Sequence, residues 1–261
     1  MPNQEEIIIG ARKLLPMFYL IDTSGSMEGE KIGQVNDAMR DLRVVLDDVT
    51  QSNADAELKL AAMTFSSGAK WADCTKNGLV SPADFYWSPV SAAGLTEIGA
   101  ALKLLDKDLS RNGFLKSDVG YNMPVIIFMS DGAPTDEWEE TYNRIKANNS
   151  WFKYAIKIAI AVGVDADIDV LAKLAGNKEA VIRIENTETL AKLIRAVSIS
   201  ASKIGSKSRA SNDSNQDDTA ADIVQSTIQD MGDDAGDNVT IAGNPDPIGP
   251  SGSGDFDDSG F

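Results

Sequence analysis

Apolar residues recur along this chain in two alternating rhythms. Residues 14–21, LLPMFYLI, form an unbroken apolar run with the length and character of a strand buried on both faces. After a polar turn, DTSGS, the residues Ile32, Val35, Met39, Leu42, Val45, Leu46 and Val49 return at helical spacing, which predicts an amphipathic helix over 30–51. Residues 56–66 and 69–73 read as two strands around Ser66, Ser67 and Gly68, a separation short enough for a hairpin. A second helix is expected over 96–109, lined by Ile98, Leu102, Leu105 and Leu109. The pattern then repeats: a strand over 124–129 ending at Ser130-Asp131-Gly132, a helix over 137–148, and a strand over 154–162. A short helix over 168–175 is stopped by Gly176, and a last strand over 180–184 leads into a closing helix over 189–204.

Strands that alternate with helices cannot pair as hairpins, so most of them must run parallel, with helices on both faces. The expected architecture is α/β and doubly wound, with a mostly parallel sheet of about six strands and one antiparallel edge strand. Residues 1–12 read as a lead-in and 13–204 as the domain. Past Ile204 the composition turns to Ser, Gly, Asp, Asn and Pro, so 205–261 is expected to be a disordered, acidic, low-complexity tail. It holds one island. Thr219 and Asp222 can form a helix start, Ile223, Val224, Ile228 and Met231 share a face, and Gly232 ends it, which predicts a short helix over 219–231. On its own that helix is too short to be stable, so it reads as an element that docks into a partner's groove. It also carries Thr227 three places before Asp230, a spacing of the kind read by phosphothreonine-binding modules.

Composition removes whole classes of chemistry. The 261 residues include no histidine and one cysteine, Cys74, which leaves no internal disulfide, no Ser-His-Asp or Cys-His centre and no Cys-rich zinc site. The net charge is −16; from residue 207 onward twelve aspartates face only Lys207 and Arg209, a net of −10, leaving −6 for the rest. Such a balance offers no basic footprint for nucleic acid and would be repelled by an anionic membrane. No run approaches the roughly 20 apolar residues needed to span a bilayer, and 1–6 is polar, unlike a secretory leader, so the expected location is the cytoplasm. Cys74 and the tryptophans at 71, 87, 138 and 151 read mainly as packing residues, with Trp87 and Trp138 near enough to the predicted site to form its rim.

What remains is carboxylate and hydroxyl chemistry, and it is concentrated. Asp22, Ser24 and Ser26 follow directly on the first apolar strand, with Gly25 allowing the turn that lets alternate oxygen side chains converge. Asp131 ends a second buried strand and is likewise followed by a glycine, while Thr96 sits in a turn containing Gly94. Oxygen donors of this kind suit a small hard cation, Mg²⁺ or Mn²⁺. Two aspartates and three neutral hydroxyls match its charge but leave the shell incomplete, open to an incoming carboxylate. Asp136 reads as a cap for the helix beginning at Glu137.

These residues resemble the von Willebrand factor type A (vWA) domain, whose metal-ion-dependent adhesion site (MIDAS) uses D-x-S-x-S, a Thr and an Asp on three loops. The resemblance covers roughly 13–203. The phrases YLIDTSGSMEGEKI, GLTEIGAAL and FMSDGAPTDEWEE are similar to the bacterial intracellular branch associated with tellurium resistance. It implies that Ser24, Ser26 and Thr96 hold the metal directly, and that Asp22 and Asp131 act mainly through water. It also implies a stress-response or signalling setting beside a protein kinase and a metal-dependent phosphatase. Two features depart from the pattern: Leu95 stands where many members have glycine, and the tail is acidic where relatives often carry a Cys- or His-rich extension. The expected function is non-enzymatic docking of a partner protein's Asp or Glu on the metal. The alternatives are a Mg²⁺ phosphohydrolase with Asp22 as nucleophile, which would want a second carboxylate where Ser24 stands, and a metal-free scaffold.

Overall fold

The apolar run at the start becomes the central strand of a sheet. In the computed structural model, which describes residues 12–207, 216–235 and 238–243, β1 (Lys13–Asp22) is flanked by parallel partners on both sides. These are β2 (Ala56–Ser66) and β4 (Val125–Ser130). Beyond them, β3 (Gly68–Trp71) turns back on β2, and β5 (Ile156–Val162), β6 (Val181–Ile184) and β7 (Val239–Ile241) extend the other side, giving the order β3-β2-β1-β4-β5-β6-β7. The five inner strands are parallel, and β3 and β7 close the two edges in antiparallel pairing. Leu15, Met17, Phe18, Tyr19, Leu20 and Ile21 are wholly buried, as a strand covered on both faces requires.

The chain winds outward in both directions from β1, so its crossovers fall on opposite faces of the sheet. Helix α1 (Glu30–Ser52) lies on one face with α6 (Leu190–Lys207) and α7 (Gln216–Met231). The other face carries α2 (Ile98–Asp108), α3 (Trp138–Asn148) with the short α4 (Ser150–Lys153), and α5 (Ile168–Ala175). No helix among the described residues is long and apolar enough to cross a membrane.

The doubly wound α/β architecture is as expected, with one strand more and a second antiparallel edge. Both additions to the domain come from the segment read as a tail. Residues 205–207 continue α6, and α7 starts three residues earlier than the predicted helix. It lays Ala220, Ile223, Val224 and Met231 against α6 and β5. β7 pairs with β6, Ile241 opposite Ile182. The groove expected on a partner is therefore supplied by the chain's own sheet. Thr227 is fully buried and its hydroxyl donates to the Ile223 carbonyl at 2.7 Å, so it is not displayed for modification or reading. Residues 1–11, 208–215, 236–237 and 244–261, including most of the predicted lead-in and the end of the tail, lie outside the described residues.

The tryptophans are packing residues. Trp71 lies between Phe18 and Phe114, and Trp151 and Trp138 meet Tyr121 and Tyr142 edge-on. Trp87 is 7% exposed and donates to Asn36 Oδ1 at 2.8 Å, so neither Trp87 nor Trp138 stands as a free rim. Cys74 is half-buried, and burial pushes its thiol pKa up, away from the reactive thiolate.

Candidate metal centre

The register of the central strands decides where the acidic residues meet. Ile21 on β1 lies opposite Met129 on β4, so Asp22 and the pair Ser130-Asp131 leave the sheet side by side at its carboxyl edge. This is the point where the strand order reverses and the crossovers diverge, which opens a crevice. Asp22 has no solvent exposure. One of its oxygens accepts from the Ser24 amide at 2.7 Å and the other from Ser130 Oγ at 2.5 Å. Burial raises the pKa of this carboxyl; the hydrogen bonds from Ser130 and Ser24 pull it back, and the nearby Asp131 adds to the rise.

The hydroxyls complete the cluster. Ser24 Oγ lies 3.0 Å from Ser26 Oγ, and Ser26 Oγ donates to Asp131 Oδ1 at 2.6 Å. Asp131 is buried while Ser26 is exposed, so the cluster opens to solvent on the Ser26 side. Thr96 arrives from the loop before α2. The point where a Cβ would sit on Gly132 is 3.6 Å from Thr96 Oγ1 and 3.5 Å from Ser26 Oγ, so two hydroxyls from separate loops meet over that glycine. All five predicted residues are thereby gathered at one end of the β1–β4 pair.

The loops are fixed by hydrogen bonds to one another. Thr23 N donates to the Phe65 carbonyl, and Gly25 N to the Gly94 carbonyl at 3.1 Å. Gly94 takes the left-handed conformation (φ +88°), and a Cβ there would come 2.7 Å from Ser67 Oγ. The turn is thus made at Gly94, one residue before Leu95, whose side chain stays exposed. Thr96 is held at both backbone ends by Thr135: its amide donates to Thr135 Oγ1 at 3.1 Å, and its carbonyl accepts from the Thr135 amide at 2.8 Å. Helix α2 starts at Ile98, leaving Thr96 outside the helix.

Asp136 caps a different helix from the one expected. Its two oxygens accept from Gly99 N and Ala100 N, each at 3.2 Å, at the start of α2, while α3 begins with no side-chain cap bond. The carboxylate offsets the positive end of the α2 dipole and ties the Asp131 loop to the Thr96 helix. Sequence reasoning also passed over Ser130, Thr135 and Lys31. Ser130 is placed beside Asp22 by the β1–β4 register, which the sequence alone does not give. Lys31, whose ammonium contacts Asp131 Oδ2, sits five residues from Ser26, with no motif to mark it.

The oxygen set can be tested against the cation it would hold. Six oxygens at about 2.0–2.1 Å from a Mg²⁺ are separated along each octahedral edge by about 2.9 Å. The Ser24–Ser26 separation of 3.0 Å lies near that value, while Asp131 Oδ1, hydrogen-bonded to Ser26 Oγ at 2.6 Å, sits closer than an octahedral edge. Clusters of three or more Asp, Glu, Cys or His that could hold a metal do not occur among the described residues. A site here depends on hydroxyls as much as on charge.

No family model matches the chain, and no curated protein matches it. Solved structures do. A von Willebrand factor type A protein from Catenulispora acidiphila aligns over 74% of this chain with a TM-score of 0.53 at 18% identity. The chain has the vWA fold. Proximal thread matrix protein 1 from the mussel byssus, in a form whose MIDAS motif is occupied by zinc, aligns over 74% of the chain with a TM-score of 0.53 at 19% identity. The pilus adhesin SpaC from Lactobacillus rhamnosus GG aligns over 81% with a TM-score of 0.54 at 12% identity. At these identities the likeness is one of vWA fold. The chain spans 43%, 46% and 31% of the length of these three structures, less than half in each case.

Proposed function

We propose that this vWA-fold domain is a divalent-cation-dependent binding module that captures an Asp or Glu side chain of a partner protein. The observation that carries the reading is the meeting of Asp22, Ser24, Ser26, Thr96 and Asp131 from three loops at the switch point, with hydroxyl spacing matched to an octahedral cation. Ser24, Ser26 and Thr96 would supply neutral oxygens, and Asp22 and Asp131 the charge. The zinc-occupied MIDAS motif of the mussel protein supports a divalent ion at such a site. We take Mg²⁺ or Mn²⁺ as the ion in use, since hydroxyl and carboxylate oxygens suit hard cations. What the ion supplies when bound is an electrophilic position for a carboxylate.

A binding role fits Asp22 better than catalysis does. Both its oxygens already accept short hydrogen bonds and it has no solvent exposure, so it is ill placed to attack phosphorus. The phrases YLIDTSGSMEGEKI, GLTEIGAAL and FMSDGAPTDEWEE support a setting in bacterial stress response, beside a kinase and phosphatase pair. That setting rests on sequence resemblance alone. Calorimetric titration with Mg²⁺ and Mn²⁺ tests the centre. Saturable one-site binding is expected in the wild type and none in a Ser24→Ala, Ser26→Ala double variant that still folds. Equal binding by the two proteins refutes the assignment. Partner capture should be reversed by EDTA and weakened by Thr96→Ala.

A further inference from the structure

Among the described residues, one cation of the chain's own reaches the oxygen cluster. Lys31 stands in the first turn of α1, and its ammonium contacts Asp131 Oδ2 and donates to the Ser26 carbonyl at 3.3 Å. The Asp131 side chain is completely enclosed, whereas that of Lys31 keeps 26% of its surface in solvent. The lysine stem lies across the end of β5, over Gly163. A Cβ on that residue would come within 3.2 Å of both Lys31 Cε and Nζ, and Gly163 itself has φ +91°. The fold therefore leaves a trough for this side chain and directs its charge onto one of the two carboxylates of the centre.

We propose that Lys31 is a tethered competitor for the divalent cation, built in to weaken the centre's hold on it. The inference rests on the metal-binding reading of the preceding subsection. The ammonium and a divalent ion draw on the same carboxylate, Asp131, whose two oxygens are split between Ser26 Oγ and Lys31. Asp22 and Asp131 together would balance a +2 ion; with Lys31 in place the cluster carries one net negative charge. A divalent ion then has to push the ammonium out along its trough or tolerate it at close range, and either lowers affinity. Because about a quarter of the lysine side chain faces solvent, it can swing away without breaking the core. A centre of this kind loads and unloads with the ambient Mg²⁺ level, and an incoming carboxylate from a partner stabilises the loaded form.

The test is the Mg²⁺ and Mn²⁺ affinity of the full chain by calorimetry, comparing wild type with Lys31→Met, Lys31→Gln and Lys31→Arg at one ionic strength. Methionine keeps a stem of similar length over Gly163 and removes the charge. Both neutral variants should bind the ion roughly tenfold or more tightly, the scale on which neighbours of metal ligands tune affinity. Lys31→Arg should stay close to wild type. Melting in EDTA verifies that each variant is folded before titration. Binding by the neutral variants but not by wild type also supports the proposal. Affinity that is unchanged or weaker in both neutral variants overturns it, since Lys31 would then only orient Asp131, and leaves the metal centre standing. No binding by any of the four proteins overturns both readings together.

Discussion

Replacing Asp22 by Asn separates what the centre costs from what it does. In the protein, Asp22 is a wholly buried carboxylate whose neighbours are hydroxyls, an amide and a second carboxylate; Lys31 neutralises Asp131, not Asp22. An unpaired buried charge costs several kcal/mol even after relaxation. Asparagine keeps an acceptor for the Ser24 amide and turns an NH₂ toward Ser130, whose hydroxyl can rotate to accept it. Each of the two hydrogen bonds loses about 1 kcal/mol of charge assistance. The balance favours the variant by about 1–2 kcal/mol, which in a domain of this size raises Tm by roughly 2–8 °C in EDTA. With Mg²⁺ at a hundred times its Kd the wild type gains about 2.7 kcal/mol. The variant, lacking one charge of the set, should gain almost nothing. Differential scanning calorimetry in EDTA and in Mg²⁺ therefore gives a crossing: Asp22→Asn is the more stable protein without the ion and the less stable one with it.

The pH dependence has a defined sign. The native Asp22 carboxyl holds its proton above the ordinary value of 3.8, so the folded state binds more protons than the unfolded chain just above that pH. The wild type then loses stability relative to Asp22→Asn as pH climbs through this range, and the difference levels off once the native group is ionised. A variant destabilised in EDTA by more than about 1 kcal/mol would show that the Asp22 charge is a structural cap of the 22–26 loop, and the argument from an uncompensated charge would fail.

Two further outcomes follow from the packing of the carboxyl-terminal elements and from β5. Ile223→Ala on α7 removes a fully buried side chain at the α6–β5 contact and should cost about 2–5 kcal/mol in urea denaturation, whereas no loss would mean that α7 is not part of the domain. Lys157 is 7% exposed, gives its ammonium to the carbonyls of Phe152 and Ala155, and has its pKa lowered by burial to about 8, with Asp217 partly opposing. The unfolded chain then holds that proton more tightly, so between pH 8 and 10.5 the wild type should gain stability relative to Lys157→Met, by at most about 3 kcal/mol. A difference that stays constant across that window would show that the lysine is not held against its charged form.

The parts of this structure that were legible in the sequence are those where one physical requirement acts on neighbouring residues. The buried inner strands had to be unbroken apolar runs, so β1, β4 and β5 stood out, and the loop after β1 had to bring three oxygens together, so Asp22, Ser24 and Ser26 fell within five residues. Thr96 and Asp131 could be found because each lies within two residues of a glycine at an element boundary. What supports the centre was not legible, because its members are coupled only through space. Ser130 serves Asp22 across 108 residues, Asp136 caps α2 across 37, and Lys31 reaches Asp131 across 100. None belongs to a local pattern.

The carboxyl-terminal elements were misread for a related reason. The stretch 232–243 is dominated by Gly, Asp and Asn, and composition weighs such a stretch against the entropy of ordering all of it. An edge strand asks much less. β7 needs only Val239, Thr240 and Ile241, with two side chains facing inward and ladder bonds on one side to β6, whose own position is already set by the parallel sheet. Likewise the apolar face of α7 is too narrow for an isolated helix but sufficient once α6 and β5 offer a surface at no further cost in order. Ordering here is a property of the template more than of the segment. The same reasoning explains why the net charge of this segment does not expel it: Asp218, Asp222 and Asp230 on α7, and Asp233 and Asp234 in the turn that follows it, are exposed while Ile223 and Val224 are buried, and Asp234 meets Lys192 of α6 at 2.7 Å. Within 216–235, the acidity that marked the segment as a tail is the solvated side of an element whose other side is core.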